Sequence, residues 1–164
     1  MKVVVFSDAH GNKEVIKRIL EFNPDADYVI SLGDSELKHN FLLDLDIVAI
    51  KGNYPRDGGF VYESILEVED KRLFLTHGHK YGVTNNMRKL LAKGMETEVD
   101  LVLYGHTHIA KFDNVAGVFY MNPGSIYSPR SDAPASYLIL NIEKGKETTY
   151  SYRESFTNLV IENV

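Results

Sequence analysis

The sequence predicts an α/β fold of two packed sheets, partly parallel and partly antiparallel, with helices on their outer faces. Two observations carry this. In the first half, short apolar runs alternate with stretches of helical spacing, the pattern of parallel strands joined by crossover helices. In the second half strands dominate, with a hairpin across Glu69-Asp70-Lys71 and turns at Asn114 to Gly117 and Lys144 to Glu147, the pattern of antiparallel strands.

Val3 to Phe6 reads as a first, buried strand. Lys13 to Phe22 carries Val15, Ile16, Ile19, Leu20 and Phe22 at helical spacing, with Asn12 in the N-cap position. Tyr28 to Ile30 reads as the second strand, Glu36 to Leu43 as a short helix and Ile47 to Ile50 as the third strand. Ser64 to Val68 and Arg72 to Thr76, split by Glu69-Asp70-Lys71, read as a hairpin. Thr84 to Met95 reads as a helix and Leu101 to Tyr104 as a buried strand. Strands follow at Lys111 to Val115, Val118 to Met121, Tyr137 to Ile142 and Thr148 to Tyr152. Leu159-Val160-Ile161, near the end, is either one more edge strand or a piece that pairs with a second subunit.

A chain of 164 residues suits one domain over 1–164, and no repeat or linker divides it. Hydrophobic residues at 44% and charged residues at 25% are enough for a folded core. With no cysteine, disulfides, thiolate nucleophiles and thiolate zinc sites are all excluded. A net charge of -5 argues against a broad basic face, so duplex nucleic acid is not an expected partner. Met1-Lys2 runs straight into the first strand rather than a leader, and no apolar run approaches the roughly 18 residues of a membrane span. A cytoplasmic protein without a membrane partner is the expectation.

The informative feature is how the strands end. They run into Ser7-Asp8-Ala9-His10-Gly11-Asn12, Leu32-Gly33-Asp34, Lys51-Gly52-Asn53, Thr76-His77-Gly78-His79 and Gly105-His106-Thr107-His108. The carboxyl ends of parallel strands share one rim, so groups far apart in sequence can converge there. Of the 6 histidines, only His39 lies outside these motifs. A lone histidine at a strand end is ordinarily a satisfied core or surface residue; five in three such motifs reverse that reading. The glycines are read as turn residues with positive φ. Carboxylate, amide oxygen and imidazole without sulfur suit manganese, zinc, iron, nickel or magnesium. Two such cations about 3.5–4 Å apart can clamp a phosphate and activate a water.

With these motifs the chain resembles the calcineurin-like metallophosphoesterases, in particular the small YfcE/YsnB-type bacterial and archaeal phosphodiesterases. The likeness runs from Lys2 to about Tyr152, in the family's order, and takes in Asn122-Pro123-Gly124-Ser125 and Pro129-Arg130. It implies a four-layer α/β/β/α sandwich of two mixed sheets, the metallo-dependent phosphatase-like fold. It implies one divalent ion at Asp8, His10 and His108, a second at Asn53, His77 and His106, and Asp34 bridging them. Mn2+ is the expected ion, with Ni2+, Zn2+, Fe2+ or Mg2+ as alternatives. The expected activity is phosphodiester hydrolysis of a small phosphoester by metal-activated water, with Asp34 and Asn53 central to catalysis. A homo-oligomer, dimer or tetramer, is also implied.

One departure bears on mechanism. Many relatives follow the Gly-Asn motif with His-Asp or Cys-Asp, and the His is the usual donor to the leaving group. Here Asn53 is followed by Tyr54-Pro55-Arg56-Asp57. This favours diesters and good leaving groups, with His79 or Tyr54 as replacement candidates; the plain reading of His79 is a rim residue supporting the ligands. Asn12 is a candidate for phosphate contact, although a helix cap explains it as well. Arg130 is a candidate for pairing with a phosphate oxygen on a loop that could equally be structural. Tyr54, Tyr81 and Tyr127 could stack on an aryl group. Competing readings are a phosphomonoesterase or protein phosphatase with the same site, and a non-catalytic binding scaffold that had lost its ligands.

Overall fold

The computed structural model describes residues 1–55, 58–130 and 132–164. The chain begins β1 (Lys2–Phe6), α1 (Lys13–Phe22), β2 (Tyr28–Ser31), α2 (His39–Leu43) and β3 (Ile47–Ala49). It continues with β4 (Glu63–Val68), β5 (Lys71–Thr76), a 3-10 turn at His79–Tyr81, α3 (Arg88–Glu96) and β6 (Leu101–Leu103). It ends with β7 (Ala110–Val115), β8 (Val118–Pro123), β9 (Ser136–Asn141), β10 (Thr149–Glu154) and β11 (Val160–Ile161).

These strands form two mixed sheets. One has the order β11-β10-β9-β1-β2-β3 and the other β4-β5-β6-β8-β7. β1, β2 and β3 run parallel, while β9 joins β1 antiparallel. In the second sheet β5, β6 and β8 run parallel, flanked by the antiparallel strands β4 and β7.

Strand periodicity sets the layers, because successive side chains point to opposite faces. Val3 and Val5 enter the core between the sheets, where they meet Leu73, Leu75, Leu101 and Leu103. Val4 and Phe6 point the other way, onto Val15, Ile16 and Ile19 of α1. On the far side Phe74, Val102 and Tyr120 pack against Leu90 of α3. The result is helix, sheet, sheet, helix, the expected four-layer α/β/β/α sandwich. Each fully buried aliphatic side chain contributes about 1.5–3 kcal/mol, so the inter-sheet layer dominates the stabilisation.

Two helix starts differ from expectation. The helix expected from Glu36 begins only at His39, because Glu36 sits at φ 56°, outside the helical region. The helix expected from Thr84 begins at Arg88, since Asn85 and Asn86 donate their N–H groups to the Gly82 carbonyl as turns. Near the end, Val160 and Ile161 pair with Arg153 and Tyr152, so this segment is an edge strand of its own sheet. Among the described residues no helix is long and apolar enough to cross a membrane.

Candidate metal centre

The loops that follow β1, β2, β3, β5 and β6 meet at one rim. Asp8 Oδ1 lies 3.2 Å from His108 Nε2, and His108 Nε2 lies 3.3 Å from His10 Nε2. Next to them, His77 Nε2 lies 3.4 Å from Asp34 Oδ2, 3.2 Å from Asn53 Oδ1 and 3.9 Å from Asp8 Oδ1. Asp8, His10 and His108 form one set of converging ligand atoms; Asp8, Asp34 and His77 form another. The two sets share Asp8, a place that the resemblance gives to Asp34. His106 presents its ring to the edge of His77, with centroids 5.1 Å apart, and its backbone N–H donates to Asp8 Oδ2.

Hydrogen bonds behind the rim fix which nitrogen each ring offers. His77 Nδ1 is 2.6 Å from the Leu32 carbonyl, His108 Nδ1 is 2.7 Å from the Ser128 carbonyl, and His10 Nδ1 is 2.7 Å from Glu36 Oε1. A carbonyl or carboxylate oxygen only accepts, so each ring carries a proton on Nδ1. Nε2 of all three is thereby left facing the centre, the usual arrangement of metal-binding histidines. Several electron-pair donors thus converge, and Asp8 Oδ1 is buried beside His108 Nε2 without a hydrogen-bond partner among the described residues. Such a pocket fits a cation.

The titration directions agree. Burial alone would raise Asp34, but the hydrogen bond and charge of His77 and the Tyr54 N–H bring it down to about 2. For Asp8, burial is likewise outweighed by His108 and His77, which hold the carboxyl below its ordinary range. Burial lowers His77 and His108, yet the carboxylates of Asp34 and Asp8 raise both above the ordinary imidazole value. His106, by contrast, is lowered by burial and by the neighbouring His77.

The backbone is shaped for this convergence. Asp8, His10, Asp34, His106 and His108 all have φ between 43° and 70°. Left-handed backbone costs a non-glycine residue about 1–3 kcal/mol, and it clusters at functional sites. Glycine serves two purposes here. Gly33, at φ 97°, is the turn residue expected. Gly52 is there for space: a Cβ on it would lie 1.9 Å from Asp34 Oδ1. Asn122 and Ser125 brace the loops. The Asn122 amide donates to the Gly105 carbonyl and Thr107 Oγ1, and Ser125 Oγ donates to the Asp8 carbonyl.

Comparison with known proteins agrees with this geometry. Residues 1–145 match the model of the Calcineurin-like phosphoesterase superfamily domain. The chain belongs to that superfamily. It is 31% identical over 156 residues to the probable metallophosphoesterase YsnB of Bacillus subtilis, covering 94% of this chain and 92% of that one. It is 27% identical over 175 residues to the phosphodiesterase YfcE of Escherichia coli K12, covering 86% and 88%. Among solved structures, a conserved Streptococcus pneumoniae protein described as a predicted phosphoesterase superposes with TM-score 0.90 at 26% identity, over 99% of this chain and 94% of that one. Zn2+-complexed Vps29 of Entamoeba histolytica shares the fold, with TM-score 0.80 at 24% identity over 98% and 96%.

As a calcineurin-like protein the chain can be read position by position. Asn12 Oδ1 accepts the Val15 N–H, so this amide caps α1. The Tyr54 backbone N–H donates to Asp34 Oδ1, a contact that orients this carboxylate and needs no phenol. Arg56 and Asp57, part of the departure after Asn53, lie outside the described residues. His79 packs between His77 and His106, and burial with those two rings pulls it down to about 4. Tyr81 donates its hydroxyl to Glu63, whereas Tyr127 is exposed. Arg130 is exposed, and its backbone N–H donates to the His108 carbonyl. Sequence reasoning missed Glu36. Its signal was a carboxylate two residues beyond Asp34 on the same loop.

Proposed function

We propose that this protein hydrolyses phosphodiesters with a dinuclear metal centre. Asp8, His10 and His108 would hold one divalent cation, Asn53, His77 and His106 would hold the other, and Asp34 would contribute to both. The observation that carries the reading is the orientation of His10, His77 and His108, each tied through Nδ1 so that Nε2 faces the buried carboxylates. The donor set of imidazole, carboxylate and amide oxygen suits Mn2+, with Ni2+, Zn2+, Fe2+ and Mg2+ also compatible. Bound cations in such a centre supply an activated water and Lewis-acid stabilisation of the phosphoryl oxygens.

The chain's own residues prepare that chemistry. Glu36, Leu32 and Ser128 hold the imidazoles in register. Tyr54 N–H and His106 N–H hold Asp34 Oδ1 and Asp8 Oδ2, leaving the other oxygen of each carboxylate for the centre. Arg130, exposed on the loop joined to His108 through its backbone N–H, is the proposed partner of a phosphate oxygen. His79, pulled down to about 4, is neutral at pH 7 and a poor reservoir of protons for a leaving alkoxide. That supports diesters with good leaving groups over alkyl monoesters.

The test is a substrate screen on protein reconstituted with Mn2+. The account expects turnover of bis(p-nitrophenyl) phosphate with kcat/KM above that for p-nitrophenyl phosphate and a phosphopeptide. The opposite order would make it a monoesterase. Inactivity on all three by fully metal-loaded protein would leave a binding scaffold.

A further inference from the structure

Beside His79 the rim carries positive charge that the metal centre does not use. Lys51 Nζ lies 5.2 Å and Lys80 Nζ 3.1 Å from the centre of the Tyr62 ring. Tyr62 in turn lies against His79, with centroids 5.9 Å apart, and His79 lies 5.3 Å from His77. The backbone explains the meeting. Lys51 N–H donates to the Val61 carbonyl, which ties the end of β3 to the start of β4. Pairing of Glu63 with Thr76 then sets Tyr62 at the level of His77. Lys51 directly precedes Gly52-Asn53, and Lys80 directly follows His79. Both lysines therefore ride on metal-centre loops.

Neither ammonium has a carboxylate partner among the described residues, although other surface lysines do: Lys2 pairs with Asp25 and Lys111 with Asp113. In a chain of net charge -5, two like charges held on one exposed aromatic ring repel each other unless an anion lies between or beside them. Attraction to the ring face offsets part of that repulsion and holds both ammonium groups at the rim.

We infer that Lys51, Lys80 and Tyr62 form an anion subsite flanking the metal centre, selecting phosphodiesters that carry a second phosphate near the scissile one. This rests on the diesterase reading, and it deepens it by naming a substrate class: diesters with an arm that carries a further phosphate rather than uncharged-arm diesters.

A matched pair of substrates tests it. The p-nitrophenyl ester of thymidine 5′-phosphate and its 3′-phosphorylated counterpart share one leaving group and differ only in the added phosphate. The Mn2+-loaded wild type should favour the 3′-phosphorylated ester, and the Lys51→Ala/Lys80→Ala variant should lose about tenfold of that preference, as expected for two exposed ion pairs of up to about 1 kcal/mol each. Raised salt should erode the wild-type preference in the same way. Calorimetric titration with thymidine 3′,5′-bisphosphate and thymidine 5′-phosphate reads the subsite without turnover. There the variant should weaken only the bisphosphate, by a similar factor. If neither ester turns over while the lysines still discriminate the two nucleotides in binding, the diesterase reading fails and the subsite stands. If wild type and variant show the same preference in both assays, the two lysines are a solvated surface pair and the subsite is refuted.

Discussion

Glu36 Oε1 accepts from His10 Nδ1 at 2.7 Å, so a carboxylate outside the proposed ligand set holds a candidate ligand ring in place. The pair joins the loop after β1 to the loop after β2, and it forms because Glu36 takes a left-handed backbone conformation. A partner of this kind typically accounts for about 10–100-fold in metal affinity. Glu36→Ala should weaken one of two Mn2+ binding steps by that order while leaving thermal unfolding of the metal-free protein nearly unchanged. The check is a Mn2+ binding isotherm, and an isotherm superposing on wild type would remove Glu36 from the centre.

Asp34 is the carboxylate that the account places between the ions. Asp34→Asn should lower turnover of bis(p-nitrophenyl) phosphate well over tenfold and weaken both binding steps, with the circular dichroism spectrum preserved. The reason is that the rim lies outside the three apolar clusters that hold the fold. Steady-state kinetics at saturating Mn2+ decides it; a variant retaining more than about a tenth of wild-type turnover speaks against a bridging role, since metal activation supplies several kcal/mol.

Gly52 tests the steric reading of its motif. A Cβ there meets Asp34 Oδ1 at 1.9 Å and the Asp34 backbone nitrogen at 2.3 Å, so Gly52→Ala must push the bridging loop outward. The expected cost is about 1–3 kcal/mol of stability together with loss of Mn2+ affinity. Gly58→Ala serves as the control, because among the described residues nothing lies within 4 Å of its added Cβ. Chemical denaturation of the two variants should separate them clearly; equal stabilities would show that Gly52 is only a turn residue.

Cation binding should release protons. In the metal-free cluster His77 and His108 are raised above the ordinary imidazole value of 6.5, despite burial, by Asp34 and Asp8. The raised direction means that these rings keep their protons up to a higher pH than free imidazole does, and a cation must displace them. Calorimetry at pH 7 in buffers of differing ionisation enthalpy should show net proton release on Mn2+ binding, decreasing as pH rises. Release absent at pH 7 would mean that these rings do not face the ions.

Much of this was legible in the chain itself. The unbroken apolar run Val3 to Phe6 announced a buried strand, and its side chains do pack alternately into the inter-sheet core and onto α1. The polar strand ends announced a rim, and Asp8, His10, Asp34, Asn53, His77 and His108 do converge there. What was not legible depends on tertiary distance. Gly52 looks like any turn glycine until Asp34 is seen against it. Asn122 and Ser125 read as loop formers, yet their side chains fasten the Gly105 and Asp8 backbones from 17 and 117 residues away. Glu36 fell inside an expected helix, and only its positive φ shows that it leaves the helix to reach His10.

The most direct measurement is the number of Mn2+ ions bound per chain, by equilibrium dialysis with elemental analysis. The account predicts two per chain for the wild type and one for His108→Ala, whose ring belongs to a single cluster. A wild-type protein that binds one ion or none at millimolar Mn2+ would contradict the dinuclear centre.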